Sequence, residues 1–164
     1  VLSFKNLKNA IFCDVGCGYG RVFQKLQSHH LILKKFHYYG IDINNDFINH
    51  CITNLSGKNV FFEKSASLDK VTDFTIMSGT YNLCTMDNIS IWEKYLSSNL
   101  KSSWVNTKRA MIFNLLHKKE KKILNGLYYT EENWIKTFCE KNFGQTKIIK
   151  TNLLPDDILI LVKR

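Results

Sequence analysis

The chain has 164 residues, a formal net charge of +9, and a composition that is 45% hydrophobic and 23% charged. This length fits one domain with a substantial core, so we expect residues 1–164 to form a single domain. No run approaches the roughly eighteen apolar residues of a membrane span, and no signal-peptide pattern is present, which argues against a membrane protein. The five cysteines include no C-x-x-C pair. We therefore expect a reduced, cytoplasmic protein without a zinc site.

Strand-like and helix-like segments alternate along the chain. An apolar strand starts at Ala10 and stops at three glycines, and Val22–Leu33 then has helical spacing. A second strand starts at Phe36 and places Asp42 at its polar end. The other predicted strands are Asn59–Lys64, Val71–Ser78, Arg109–Leu116, Gln145–Leu153 and Ile158–Lys163, and the other predicted helices are Asp46–Leu55, Ile89–Trp104 and Glu131–Asn142.

The residues at two element boundaries predict a helix N-cap and a turn between strands. Thr130 is a good N-cap for the helix that begins at Glu131. The turn Leu154–Asp157 joins the last two strands, and so short a connection makes them antiparallel.

The segment from Asp14 to Arg21 has glycines at 16, 18 and 20. Glycines between a strand and a helix let backbone N–H groups approach a ligand at the positive end of the helix dipole. The spacing is G-x-G-x-G, with Arg21 where a dinucleotide-binding loop has its third glycine, and no Gly-Lys-Ser/Thr of a P-loop follows. Asp42 follows about twenty residues later, a spacing at which an acid can bind both ribose hydroxyls. The alternative is a turn aspartate that caps the next helix.

The segment DVGCGYG resembles motif I of the class I S-adenosylmethionine (SAM)-dependent methyltransferases, and the order of strands and helices matches that family along nearly the whole chain. The resemblance implies an α/β, Rossmann-like, doubly wound sheet of seven strands in the order 3-2-1-4-5-7-6, with strand 7 antiparallel. The segments SGTYN, FNLLH and LPDDILILVKR are similar to small stand-alone bacterial methyltransferases that act on metabolites. Relatives carry helices before motif I, so amino-terminal helices are expected to be missing from this sequence.

The resemblance also implies a set of cofactor-binding residues. Asp14 would orient the methionine amino group, directly or through water. Asp42 would hold the ribose, and Ile43 would lie against the adenine. Many relatives have an aspartate after strand three that binds the adenine amino group; this chain has Ser65 and Ala66 there. The full implied set is Asp14, Gly16, Gly18, Gly20, Asp42, Ile43, Ser65, Ala66 and Ser78, the last at the methionine end.

Methyl transfer from SAM is an in-line displacement that depends mainly on positioning and on exclusion of water. A general base is needed only for an undissociated acceptor. The catalytic candidates at the carboxyl edge of the sheet are Tyr81, Asn82 and His117, with Asn114 beside them. His117 has the chemistry of a base near neutral pH, or else is a polar residue leading into a lysine loop. Asp156 and Asp157 could bind a cation or simply form a turn.

We expect the acceptor to be a small molecule with an oxygen or nitrogen nucleophile. Only three of the 23 basic residues are arginines, whereas nucleic-acid sites use arginine heavily. The cluster Lys118–Lys122 is a candidate phosphate site or a solvated loop. Three alternatives stay open: an RNA or DNA methyltransferase, a non-catalytic SAM-binding subunit, and a nicotinamide-dependent oxidoreductase, against which Arg21 and the antiparallel last strand argue. The sequence indicates no metal ligands and leaves the oligomeric state open.

Overall fold

The computed structural model describes residues 7–28 and 36–164, which form one sheet with helices on both faces. The strands are β1 (Ala10–Val15), β2 (Phe36–Asp42), β3 (Val60–Lys64), β4 (Thr72–Met77), β5 (Thr107–His117), β6 (Lys122–Leu124), β7 (Leu127–Thr130), β8 (Gln145–Thr151) and β9 (Leu154–Lys163). The helices are α1 (Arg21–Ser28), α2 (Asn45–Leu55), α3 (Ile89–Val105) and α4 (Glu132–Asn142).

The sheet has the predicted strand order. β3, β2, β1, β4 and β5 are neighbours in that sequence and run parallel. β9 pairs antiparallel with β5, and β8 pairs antiparallel with β9. Because β8 and β9 are the predicted sixth and seventh strands, the order 3-2-1-4-5-7-6 with an antiparallel seventh strand is confirmed.

An additional hairpin, β6–β7, was not predicted. Its turn is Asn125-Gly126, both with positive φ (51° and 72°), as a two-residue hairpin turn requires. β7 then pairs in parallel with the last residues of β5. The predicted N-cap at Thr130 is wrong, because Thr130 is the final residue of β7 and the helix is preceded by Glu131, which makes no side-chain cap bond.

The predicted turn at Leu154–Asp157 is also wrong. Thr151 pairs with Leu154, so the turn lies at Asn152-Leu153 and the two aspartates belong to β9. The strand tolerates Pro155 because the pairing with β8 is irregular there, with a register shift between Lys150 and Thr151. Proline, which lacks an N–H, is accepted at such irregularities.

The core is divided between the two faces of the sheet. One face packs α1 and α2 through Phe23, Ile48 and Cys51, and the other packs α3 and α4 through a set that includes Leu96 and Ile135. Helices α2, α3 and α4 match their predicted bounds within one residue. The predicted continuation of α1 to Leu33 lies outside the described residues.

The connection from β3 to β4 contains no helix. Residues 65–71 cross to β4 as irregular chain, anchored by the buried Leu68. In residues 7–28 and 36–164, no helix has the length and apolar character needed to cross a membrane.

Candidate functional site

The loop between β1 and α1 is held by backbone bonds to β2. The N–H groups of Gly16 and Cys17 both donate to the carbonyl of Ile41, at 2.8 and 3.0 Å, and the N–H of Gly20 donates to the carbonyl of Cys17 at 2.9 Å. The thiol of Cys51 donates to the carbonyl of Gly18 at 3.3 Å. Hydrogen bonds to β2 and α2 therefore hold the loop in place.

The three loop glycines have positive φ but differ in what a Cβ atom would meet. At Gly16 a Cβ would lie 2.6 Å from Thr80 Cγ2, and at Gly20 it would overlap Leu55 Cδ1. At Gly18 a Cβ would meet no atom of residues 7–28 and 36–164 within 4 Å. Gly16 and Gly20 are thus required by packing inside the protein, whereas Gly18 faces open space where a ligand can approach the backbone.

Asp42, the last residue of β2, is hydrogen-bonded to the loop between β1 and α1. Its Oδ2 accepts from the N–H of Gly18 at 2.9 Å, and its Oδ1 accepts from the N–H of Asn44 at 2.9 Å. The cap of α2 is Asn44, whose Oδ1 accepts from the N–H of Asp46 at 2.8 Å. The alternative interpretation, in which Asp42 caps the helix after β2, is therefore wrong, because Asn44 is the cap. Each carboxylate oxygen keeps further acceptor capacity, enough for two ribose hydroxyls.

Asp14 is fully buried at the end of β1. One of its oxygens, Oδ2, accepts from the hydroxyl of Tyr38 at 2.5 Å, and Oδ1 has no hydrogen-bond partner among the described residues. Burial is the main cause that raises the pKa of Asp14 to about 7, with the charge of Asp42 adding to it and the bond from Tyr38 opposing it. Sequence reasoning missed Tyr38, because its contact with Asp14 depends on the pairing of β1 with β2.

We expect folding stability to fall as pH rises from about 4 to about 7. In that range the unfolded chain loses the Asp14 proton while the folded chain keeps it, because the folded pKa is the higher of the two. Between about pH 5 and pH 8 the loss should amount to roughly 2–3 kcal/mol. Asn at this position can still accept from Tyr38, so urea unfolding of Asp14→Asn should show a correspondingly smaller loss. Equal pH dependence in both proteins would contradict the assignment.

The residues expected at the adenine lie together beyond β2 and β3. Ile43 follows Asp42 directly and is 69% exposed, so its side chain is free to cover a flat ring. The N–H of Ser65 donates to the carbonyl of Asp42 at 3.0 Å, which fixes Ser65 and Ala66 beside the loop. The Ser65 hydroxyl is engaged with the carbonyl of Ser67 at 2.7 Å.

The segment after β4 folds over the glycine loop. The hydroxyl of Thr80 donates to the carbonyl of Val15 at 2.7 Å, and the N–H of Gly79 donates to Asn114 Oδ1 at 2.6 Å. Ser78 is exposed at the end of β4, next to β1 in the sheet. The structure therefore places Ser78 at the edge of the sheet where the loop lies, and it adds Thr80 as a contact of the loop that the sequence did not indicate.

The three catalytic candidates form no hydrogen bond with one another in the described part of the chain, although Asn82 reaches the residue before His117. Tyr81 is 4% exposed and packs against Tyr95, and burial raises its pKa above the ordinary value. Asn82 Oδ1 accepts from the N–H of Leu116, which ties the segment after β4 to β5. His117 is three residues beyond Asn114, about 10 Å along the strand, with Nε2 at 3.2 Å from the carbonyl of Pro155. Their catalytic roles stay predictions.

No family model matches the chain. A protein of Mycobacterium tuberculosis, provisionally named as a methyltransferase, is 23% identical over 154 residues that cover 92% of this chain and 91% of the relative. The magnesium protoporphyrin IX methyltransferase of Synechocystis, solved with bound S-adenosylhomocysteine (SAH), superposes with a TM-score of 0.71 at 17% identity, covering 97% of this chain and 76% of the other.

The chain has the class I SAM-dependent methyltransferase fold. Human N-acetylserotonin methyltransferase, solved with SAM, shares it with a TM-score of 0.71 at 13% identity over 98% of this chain and 49% of the human protein. The resemblance indicated by DVGCGYG is thereby confirmed at the level of the fold. In a methyltransferase fold the ligand crevice lies beyond the carboxyl ends of the strands, where Gly18, Asp42 and Ser78 are found.

Proposed function

We propose that this protein binds SAM at the β1–α1 loop and transfers its methyl group to an oxygen or nitrogen nucleophile of a small molecule. The observation that carries the proposal is the open space at Gly18 beside the Asp42 carboxylate. An acid with spare acceptor capacity, next to a glycine whose Cβ position is open among the described residues, forms a site for a nucleoside. The solved neighbours named above hold SAM or SAH, which supports the choice of cofactor.

When bound, SAM supplies a methyl group on a sulfonium; transfer forms the bond to the nucleophile, breaks the S–CH₃ bond and leaves SAH. The chain's own residues would bind the cofactor and orient it. Asp42 would hold the ribose hydroxyls, Ile43 would cover the adenine, and Ser78 would bound the methionine end. The chemistry needs proximity and exclusion of water more than it needs a charged catalytic group.

The Oδ1 atom of Asp14, which has no hydrogen-bond partner within residues 7–28 and 36–164, fits this cofactor. A buried carboxyl oxygen without a donor is costly, and the ammonium of the methionine part would supply one, directly or through a water molecule. A nearby ammonium favours the ionised carboxyl and lowers its pKa from about 7. Binding below that pH should then release a proton.

We therefore expect SAH affinity to rise with pH between about 5 and 7, by up to about tenfold per pH unit. The change arises because the proton on Asp14 must leave before the ammonium is fully stabilised. Calorimetric titration at several pH values measures it, with Asp14→Asn as the matched variant that has no proton to lose. A wild-type affinity that does not change over this range would contradict the role of Asp14.

A small-molecule acceptor is supported by the neighbours, whose names specify a porphyrin and N-acetylserotonin as substrates. Two lysines of the cluster Lys118–Lys122 are also partly neutralised. Lys118 pairs with Asp156 at 2.5 Å and Lys121 pairs with Glu93 at 2.9 Å. Paired lysines give a weaker field for a phosphate backbone than the net charge suggests.

We expect His117→Ala to change turnover by less than about threefold once an acceptor is known. His117 lines a different cavity from Ser78, among Lys118, Lys119 and the first residues of α4. The loss of a general base would cost about a hundredfold or more. Single-turnover methyl transfer near neutral pH distinguishes the two results, and a hundredfold loss with unchanged SAH affinity would make His117 the base.

A further inference from the structure

A cavity of about 330 Å³ opens where the carboxyl ends of β4, β5 and β8 meet the amino end of the antiparallel β9, next to the glycine loop. Its floor is apolar and half-buried, formed by Ile76, Ile112, Ile149 and Leu159. Val22, the second residue of α1, forms one wall, and Ser78 lies on the rim. The cavity thus adjoins both the loop proposed to hold the cofactor and the residue at its methionine end. Its volume suits the apolar part of a small molecule.

One carboxylate on the rim, that of Asp157, has no cationic partner in the described part of the chain. Asp157 is half-buried, and both of its oxygens lie within hydrogen-bond distance of Asn114 Nδ2, at 3.0 and 2.9 Å. Among residues 7–28 and 36–164 it forms no ion pair, whereas its neighbour Asp156 pairs with Lys118. The lysine that lines the same cavity, Lys150, is paired with Glu132. The charge of Asp157 is therefore left without a counter-charge at the rim.

The same carboxylate is connected to the segment after β4. Asn114 accepts from the N–H of Gly79 through Oδ1 and donates to Asp157 through Nδ2. Since an amide donor satisfies only part of a carboxylate's acceptor capacity, Asp157 can take a further charged donor. A ligand group bound to Asp157 would be connected through Asn114 to Gly79, the residue that follows Ser78.

We propose that this cavity binds the methyl acceptor, and that the acceptor carries a protonated amine on an apolar body. The apolar part covers the isoleucine floor, and the ammonium donates to Asp157. The amine is the recognised group; the proposal does not require it to be the methylated atom. The acceptor role rests on the proposed methyl transfer, whereas the selectivity of the cavity for an amine can be measured separately.

Calorimetry with three probes of the same shape tests the proposal: phenylbutylamine, phenylbutanol and phenylbutyrate, each titrated into the full chain with SAH present. We expect the amine to bind at least about tenfold more tightly than the alcohol, with the carboxylate weakest, because a charge-assisted bond is stronger than a neutral one. Asp157→Asn keeps an acceptor for Asn114 and should reduce amine affinity to that of the alcohol. Asp156→Asn, one residue away, should keep the preference.

The proposal is overturned if the wild-type protein binds the amine no better than the alcohol, if it binds none of the probes, or if the preference survives Asp157→Asn. The wild-type comparison of the probes needs no variant, so the test does not depend on how well Asp157→Asn folds. SAH binding is measured first in the same titrations. If SAH fails to bind while amine selectivity is present, the cavity assignment stands and the proposed methyl transfer falls.

Discussion

Replacing Gly18 with valine is expected to weaken SAH binding by roughly a hundredfold or more, which is at least about 2.8 kcal/mol, while the protein stays folded. A Cβ atom at this position would meet no atom of the described residues within 4 Å. Its φ of +52° makes any L-residue strained, which costs about 1–2 kcal/mol of stability. The valine methyls would occupy the space through which the cofactor approaches the backbone, so binding should be lost for a steric reason.

Gly126→Val is the matched control, because it separates the effect of backbone strain from the steric exclusion of SAH. Gly126 has a φ of +72°, and the nearest atom to its Cβ position is the carbonyl oxygen of Cys84 at 3.8 Å. It lies in the β6–β7 turn, away from the glycine loop. Both variants should lose similar stability in thermal unfolding, and only Gly18→Val should lose SAH binding in calorimetry. Normal binding by Gly18→Val would reduce the loop to a structural turn.

The second large effect is expected at Asp42. Asp42→Ala removes the proposed ribose acceptor and leaves the N–H groups of Gly18 and Asn44 without their partner. Losing hydrogen bonds in a buried site costs about 1–3 kcal/mol, so SAH affinity should fall by roughly 10–100-fold. Stability should fall as well, since one unpaired N–H belongs to the loop and the other to the entry of α2.

Asp46→Ala is the control for this variant. Asp46 is an exposed acid in the first turn of α2, four residues from Asp42, and its removal changes the local charge equally. Calorimetry should show SAH affinity within about threefold of wild type, the scale expected for an exposed charge. Equal losses in both variants would mean that charge near the loop, and not the hydrogen bonds of Asp42, controls binding.

The local part of the site could be predicted from the sequence, and the long-range part could not. The glycine spacing and the acid after β2 are short-range signals, and both proved to lie at one crevice. Which glycine has an open Cβ position depends on Thr80 and Leu55, which are distant in sequence and reach the loop only through the fold. The contact between Tyr38 and Asp14 likewise requires the register of β1 on β2.

The errors in the fold have local causes. The pair Asn125-Gly126 is a strong hairpin signal. The strand before it, β6, was not predicted because it has only three residues and follows a run of lysines. The pair Pro155-Asp156 suggested a turn, whereas the irregular pairing of β8 with β9 lets proline remain within a strand. His117 was chosen for its chemistry at the end of β5, where the structure places it, and its catalytic role stays a prediction.

The most direct test of the central claim is a pair of calorimetric titrations of the wild-type chain, one with SAH and one with NAD. The G-x-G-x-G loop, the open face of Gly18 and the carboxylate of Asp42 predict saturable binding of SAH at one site per chain and no measurable binding of NAD. Binding of NAD without binding of SAH would contradict the account and favour a nicotinamide-dependent enzyme on the same sheet.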